Sequence, residues 1–225
     1  MAEYKKSKPS NNIGLGEEYN KYNFFPERNS EETKIEKPAL LLHSCCGPCS
    51  TSVIEKLIRE YKITVFFYNP NITDEEEYLK RKETQLKFIE HYNQRIDKID
   101  VISFLEGPYD RSVFRELSSG LESEPEGGSR CTECFRFRLE KTAETAKMWG
   151  NDIFGTTLTV SPHKNFAIIN KIGLDLAIKY GLSYLAEDLK KKAGYQRSIE
   201  MSKEFGLYRQ RFCGCEYSKK EEKKE

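Results

Sequence analysis

A continuous apolar run, PALLLHS at 38–44, breaks off at a cysteine-rich turn, CCGPCS, and a helical pattern begins directly after it. An unbroken apolar stretch of strand length suits a parallel strand buried on both faces. Val53, Ile54, Leu57, Ile58 and Tyr61 then fall at helical spacing. The same alternation continues. KITVFFYN at 62–69, IDVISFLEG at 99–107 and NDIFGTT at 151–157 read as strands. Between them lie a long helix opened by a Thr73/Glu76 capping box, with Leu79, Leu86, Ile89 and Ile96 as its apolar face, and helices over YDRSVFRELSSGL and about 131–149. A further helix covers 164–180, and a basic, aromatic section closes the body. Strand and helix in alternation predict an α/β fold: a doubly wound parallel sheet with a helical C-terminal section. There is no internal repeat and no heptad array.

The chain has 225 residues, enough for one such domain with its own core. Residues 1–37 read as a flexible arm, 38–218 as a single catalytic domain and 219–225 as a charged tail. Lys and Arg number 37 against 36 Asp and Glu, a net charge of +1, which excludes a global basic coat for nucleic acid but not a local basic face. The opening MAEYKKSKPSNN lacks an apolar h-region, and no apolar run of about 18 residues exists, so the expectation is a cytoplasmic protein without a membrane span.

Seven cysteines in a reducing compartment point to metal binding or redox chemistry rather than structural staples. None stands alone in sequence. Cys45, Cys46 and Cys49 follow the first strand, where open α/β sheets bind ligands. Gly47 permits a sharp turn, and Pro48 suits a first helical turn whose free amides favour thiolates. Cys131-Thr-Glu-Cys134 places two sulfurs at a helix start. With Cys45 and Cys46 it makes a four-thiolate set, suited to structural zinc or to a [4Fe–4S] cluster. Spacing does not separate the two metals, although a vicinal Cys-Cys pair closes a tetrahedral zinc site awkwardly. Cys213-Gly-Cys215 is consistent with a small, strained and labile disulfide ring, with another ligand pair, or with two ordinary thiols.

The runs LLLHSCCGPCS, YNPNI, RCTECFRFRLEKTAETAK, GTTLTVSPHKN and KKKAGYQRSIEMSKEFGLYRQRFCGCEYS closely resemble QueH-type epoxyqueuosine reductases, in family order over about residues 38–218. The resemblance implies a nucleotide-hydrolase-like (HUP, PP-loop-like) doubly wound domain. It implies an iron–sulfur oxidoreductase that reduces epoxyqueuosine at the tRNA wobble position to queuosine, fed by an unidentified electron donor. It implies that Cys45, Cys46, Cys131 and Cys134 hold a [4Fe–4S] cluster and that Cys213 and Cys215 form a redox-active disulfide. An additional iron ion is compatible with it, and Cys49 matches the motif without an assigned role.

Lys164, Tyr195 and Arg197 are the candidates for proton donor. His43 reads as a satisfied core histidine and Trp149 as a packing residue. Asn69 and Asn71 shape a turn that lies within reach of substrate. Over 187–211, seven basic residues stand against four acidic ones: Lys190, Lys191, Lys192, Arg197, Lys203, Arg209 and Arg211 against Glu187, Asp188, Glu200 and Glu204. Tyr195, Phe205, Tyr208 and Phe212 interleave with them. By composition this is a solvated face over core aromatics; under the resemblance it is a tRNA-binding stretch. Two further readings compete: a sulfonucleotide reductase-like iron–sulfur enzyme, against which the Cys-Gly-Cys pair argues, and a zinc-stabilised tRNA-binding module.

Overall fold

The first strand forms where its apolar run predicts, and it lies at the centre of the sheet. A computed structural model describes residues 37–218; the expected tail and all of the expected arm but Lys37 lie outside them. The strands are β1 (Ala39–His43), β2 (Lys62–Phe67), β3 (Ser103–Glu106), β4 (Ile153–Thr156) and β5 (Ser183–Tyr184). All neighbours pair in parallel, in the order β3-β2-β1-β4-β5. The helices are α1 (Gly47–Leu57), α2 (Glu75–Asn93), α3 (Arg111–Ser118), α4 (Ser129–Met148), α5 (Phe166–Tyr180) and α6 (Gly194–Glu204). No helix among the described residues is long and apolar enough to cross a membrane.

The pleat of β1 explains the double winding. Leu40 and Leu42 enter one core with Val53 and Ile54 of α1, Phe88 of α2 and Met201 of α6. Leu41 enters the opposite core with Leu139 and Ala143 of α4 and Ile169 and Ile172 of α5. Successive residues of a strand point to opposite faces, so one apolar run serves both cores. Each fully buried leucine contributes roughly 1.5–3 kcal/mol.

The strand order fixes the position of the site. The chain runs from β1 outward to β2 and β3, then returns to the other side of β1 as β4. The sheet therefore changes direction between β1 and β4, and a crevice opens beyond their carboxyl ends. His43 and Thr156 are paired at this point, and His43 Nδ1 lies 2.9 Å from Thr156 Oγ1. The other ring nitrogen meets the Tyr68 carbonyl at 3.1 Å. His43 is thus the satisfied core histidine expected; burial first, and Arg138 second, hold its pKa down at about 3.

Two details differ from the sequence reading. The cap of α2 is Asp74, not Thr73: its carboxylate accepts from the amides of Glu76 and Glu77 at 3.1 and 3.3 Å. The Thr73 amide instead donates to the Gly214 carbonyl at 3.2 Å. The inner face of α2 holds Ile89, with Leu86 and Ile96 packed against the core, as expected, but it is broader and more polar than the sequence predicts. Leu79 is 43% exposed, whereas Glu77, Tyr78, Arg81, Lys82, Gln85, Phe88 and Ile89 are buried. This face is polar because it braces the functional loops.

Candidate functional site

The loop after β1 brings three sulfurs together. The Sγ atoms of Cys45, Cys46 and Cys49 lie within 4.8 Å of one another. Cys46 donates to Cys49 at 2.9 Å, and Cys45 to Cys46 at 3.9 Å. Helix α1 begins at Gly47, with Pro48 in its first turn. Cys46 is its N-cap, makes no side-chain cap bond, and is followed by no acidic residue in that turn. The positive helix end is therefore left to the sulfurs. Hydrogen bonds from Cys46 and Cys49 hold the Cys45 thiol well below its usual pKa, while burial pushes Cys46 up.

This turn is braced from α2. Gln85 Oε1 accepts from Ser44 Oγ at 2.7 Å and from Ser50 Oγ at 3.1 Å. Gly47 is required for a different reason from the expected one. It lies inside the helix, and a Cβ there would meet the Thr84 carbonyl oxygen at 2.7 Å. Close approach of α2, not a sharp turn, selects glycine. Gln210, which the sequence reading did not single out, donates its Nε2 to Cys46 Sγ at 2.9 Å.

Cys131 and Cys134 lie in the first turns of α4, as their spacing predicts. They fall outside the tight sulfur triad. Cys131 Sγ accepts from the Gly127 amide at 3.2 Å, and buried Cys134 packs with Phe114 and Cys215. All seven cysteines are free thiols in the structure, Cys213 and Cys215 included. The Cys213–Cys215 turn is held on α2 by Arg81, whose Nη1 donates to the Cys213 carbonyl at 2.8 Å and Nη2 to the Phe212 carbonyl at 3.1 Å.

Two cations link the thiol groups electrostatically. Arg138 is 1% exposed; its Nε donates to the Cys134 carbonyl at 3.2 Å, and its Nη2 has no hydrogen-bond partner among the described residues. It makes no ion pair with a carboxylate among the described residues. Burial opposes its charge, but Cys134, Cys213, Cys45 and Cys215 outweigh that penalty and raise its pKa. Lys164, on the loop after β4, behaves alike: burial opposes its charge, and Cys213, Cys45 and Cys49 prevail. A buried guanidinium with no carboxylate and an orphaned N–H is expensive unless an anion faces it. Here the facing groups are sulfurs. The hydrogen bond from Cys215 lowers the Cys213 thiol to about 5, aided by Lys164 and Arg138, whereas Cys215 is pushed up.

The other candidates separate clearly. Of the three proton-donor candidates, only Lys164 interacts with the thiols. Arg197 is engaged by Glu55 at 2.6 and 2.8 Å, and Tyr195 lies under the Arg209 guanidinium on α6. In the basic stretch, Lys190 and Lys191 pair with Asp188, and Arg209 is bonded to Ser198 and Ser202. Lys192, Lys203 and Arg211 make no ion pair among the described residues. Phe205 is a core residue packed edge-on against Phe88, not a stacking platform. Asn69 is fully buried and donates to the Ser44 carbonyl at 2.9 Å, tying the β2 turn to the cysteine loop.

An open parallel sheet with a thiol-rich, cation-lined centre at its switch point defines an α/β protein with a candidate metal–thiolate site. The family model described as epoxyqueuosine reductase QueH matches residues 40–221. The epoxyqueuosine reductase QueH of Streptococcus pyogenes serotype M1 is 43% identical over 189 residues, 84% of this chain and 73% of that protein. That of Staphylococcus epidermidis is 42% identical, covering 81% and 77%. That of Thermotoga maritima is 34% identical, covering 80% and 89%. The chain belongs to the epoxyqueuosine reductase QueH family, and it is an oxidoreductase.

Proposed function

We propose that this enzyme reduces epoxyqueuosine in tRNA to queuosine, in the cytoplasm, with residues 38–218 as its catalytic unit. The observation that carries this reading is the convergence of the Cys45–Cys46–Cys49 triad with Arg138 and Lys164 at the switch point, in a chain of this family. Removing the epoxide oxygen takes up two electrons and two protons. Both C–O bonds break, an alkene forms and water leaves. The Cys213/Cys215 dithiol supplies that balance, losing two electrons and two protons as its S–S bond forms. An external electron donor then restores the dithiol.

Cys45, Cys46, Cys131 and Cys134 are the proposed ligands of a [4Fe–4S] cluster, and Cys49 is a further thiol available to an additional iron. The donor set fits: soft sulfurs, a helix end free of acidic residues, and a buried guanidinium whose Nη2 lacks a partner. When bound, the cluster supplies one-electron transfer, and an additional iron supplies Lewis acidity towards the epoxide oxygen. Lys164 is the proposed proton donor at the leaving oxygen. Lys192, Lys203 and Arg211, the basic residues of 187–211 with neither an ion pair nor a side-chain hydrogen bond among the described residues, are the proposed phosphate contacts.

The test is direct. Reconstituted protein, reductant and tRNA carrying epoxyqueuosine are incubated anaerobically, and the nucleosides are analysed by mass spectrometry. The expected product is lighter by one oxygen. An unchanged nucleoside mass rejects the assignment.

A further inference from the structure

Every carbonyl from Phe212 to Cys215 has a donor. Arg81 Nη2 takes Phe212 at 3.1 Å and Nη1 takes Cys213 at 2.8 Å. The Thr73 amide takes Gly214 at 3.2 Å, and Ser218 takes Cys215 through its amide at 3.0 Å and its hydroxyl at 2.8 Å. Arg81 is 1% exposed, and its Nε donates to Glu77 at 2.6 Å. The other Glu77 oxygen accepts from Tyr208 at 2.9 Å. All three guanidinium nitrogens are therefore engaged in one plane. Gly214 completes the fit: its φ is +114°, and a Cβ there would lie 3.1 and 3.2 Å from the two Nη atoms and 2.9 Å from Ile72.

We propose that Arg81 is the positioning residue of the Cys213/Cys215 pair. Its fork holds the carbonyls of Phe212 and Cys213 just before Gly214, and with them the half-buried Cys213 and the buried Cys215. This deepens the proposed function, because it rests on the reading of these cysteines as a redox pair. A lysine cannot replace the fork, since one ammonium does not span two carbonyls while pairing with Glu77. In the redox step the two thiols lose two electrons and two protons, and one S–S bond forms. In the test below glutathione disulfide accepts them and leaves as two glutathione thiols.

The test uses the full, metal-free chain, with thermal unfolding to show that each variant is folded. Arg81→Lys keeps the charge and the ion pair; Arg81→Met combined with Glu77→Gln removes both without stranding a carboxylate. The first readout is the equilibrium between the Cys213–Cys215 bond and glutathione. In both variants the constant is expected to fall tenfold or more, about 30 mV for a two-electron couple. The second readout is site-resolved alkylation of the reduced chain. The preference for Cys213 over Cys215 is expected to fall tenfold in both variants. Constants and preferences within twofold of the parent overturn the positioning role. A parent chain that never forms the bond overturns the redox reading instead, and the alkylation preference then decides the role of Arg81 by itself.

Discussion

The amide Nε2 of Gln210 lies 2.9 Å from Cys46 Sγ and 3.9 Å from Cys49 Sγ. A residue from the C-terminal segment thus reaches the sulfurs of the first loop, 164 positions earlier. N–H groups aimed at ligating sulfurs orient them and tune the metal they hold. Gln210→Leu is expected to lower turnover roughly 10–100-fold with the fold intact. The iron content and the rate, measured together, check this. Full activity would show that the contact is incidental.

The two cysteine roles come apart under substitution. Cys131→Ala is expected to abolish cluster incorporation, read as iron per chain and visible absorption after anaerobic reconstitution. Cys213→Ser is expected to keep the cluster and lose turnover. Cluster loss in Cys213→Ser, or full iron in Cys131→Ala, would invert the assignment.

Among the described residues, Arg138 faces sulfurs with no carboxylate to balance it. Arg138→Met removes the buried positive charge and leaves the anionic site uncompensated. The expected result is a bound cluster with a more negative midpoint potential than the parent, or lower iron retention. An unchanged potential at full iron content would show that Arg138 only fills space.

Cys213 is expected to alkylate in acid solution. Its thiol is lowered from 9.0 to about 5, chiefly by the hydrogen bond from Cys215. A depressed acid contributes stability that is fully present above its unfolded value and is lost as pH falls through the folded one. The window therefore runs from about 9 down to about 5. In the reduced, metal-free chain the iodoacetamide rate at Cys213 should hold between these limits and drop below pH 5. A rate that decays with a midpoint near 9 would disprove it.

Gly214→Ala is expected to destabilise the chain. It combines a left-handed φ with a Cβ 2.9 Å from Ile72. A non-glycine residue in such a region costs about 1–3 kcal/mol. Urea unfolding of the metal-free chain measures it, and an unchanged midpoint would mean that the turn relaxes.

The sheet was legible because β1 and β2 carry unbroken apolar and β-branched runs, and burial on both faces demands them. The two-residue β5 was not, since so short a strand has no period to read. Helix α2 was legible as a helix, and Leu86, Ile89 and Ile96 did mark its inner side, but the polar part of its buried face was not legible. Its buried face is built from Glu77, Arg81, Lys82 and Gln85, residues that sequence patterning assigns to solvent. Their burial follows from partners far away: the Cys213 carbonyl, Glu106 and Ser44. The cysteines at 45–49, 131–134 and 213–215 marked the site because their clustering along the chain is itself a signal. Arg138, Arg81 and Gln210 carried no such mark.

From its amino acids alone, then, this protein is an α/β oxidoreductase of a recognisable family with a candidate site after the first strand, because hydrophobic period and cysteine spacing are local properties. Only the tertiary structure decided that the sulfurs of Cys45, Cys46 and Cys49 converge within 4.8 Å of one another while those of Cys131 and Cys134 lie outside that tight group. It also decided that Lys164, not Tyr195 or Arg197, interacts with the thiols, and that α2 braces the Cys213–Cys215 turn. Those outcomes depend on which buried charges and carbonyls meet across the fold, and a buried polar group is set by its distant partner rather than by its neighbours in the chain.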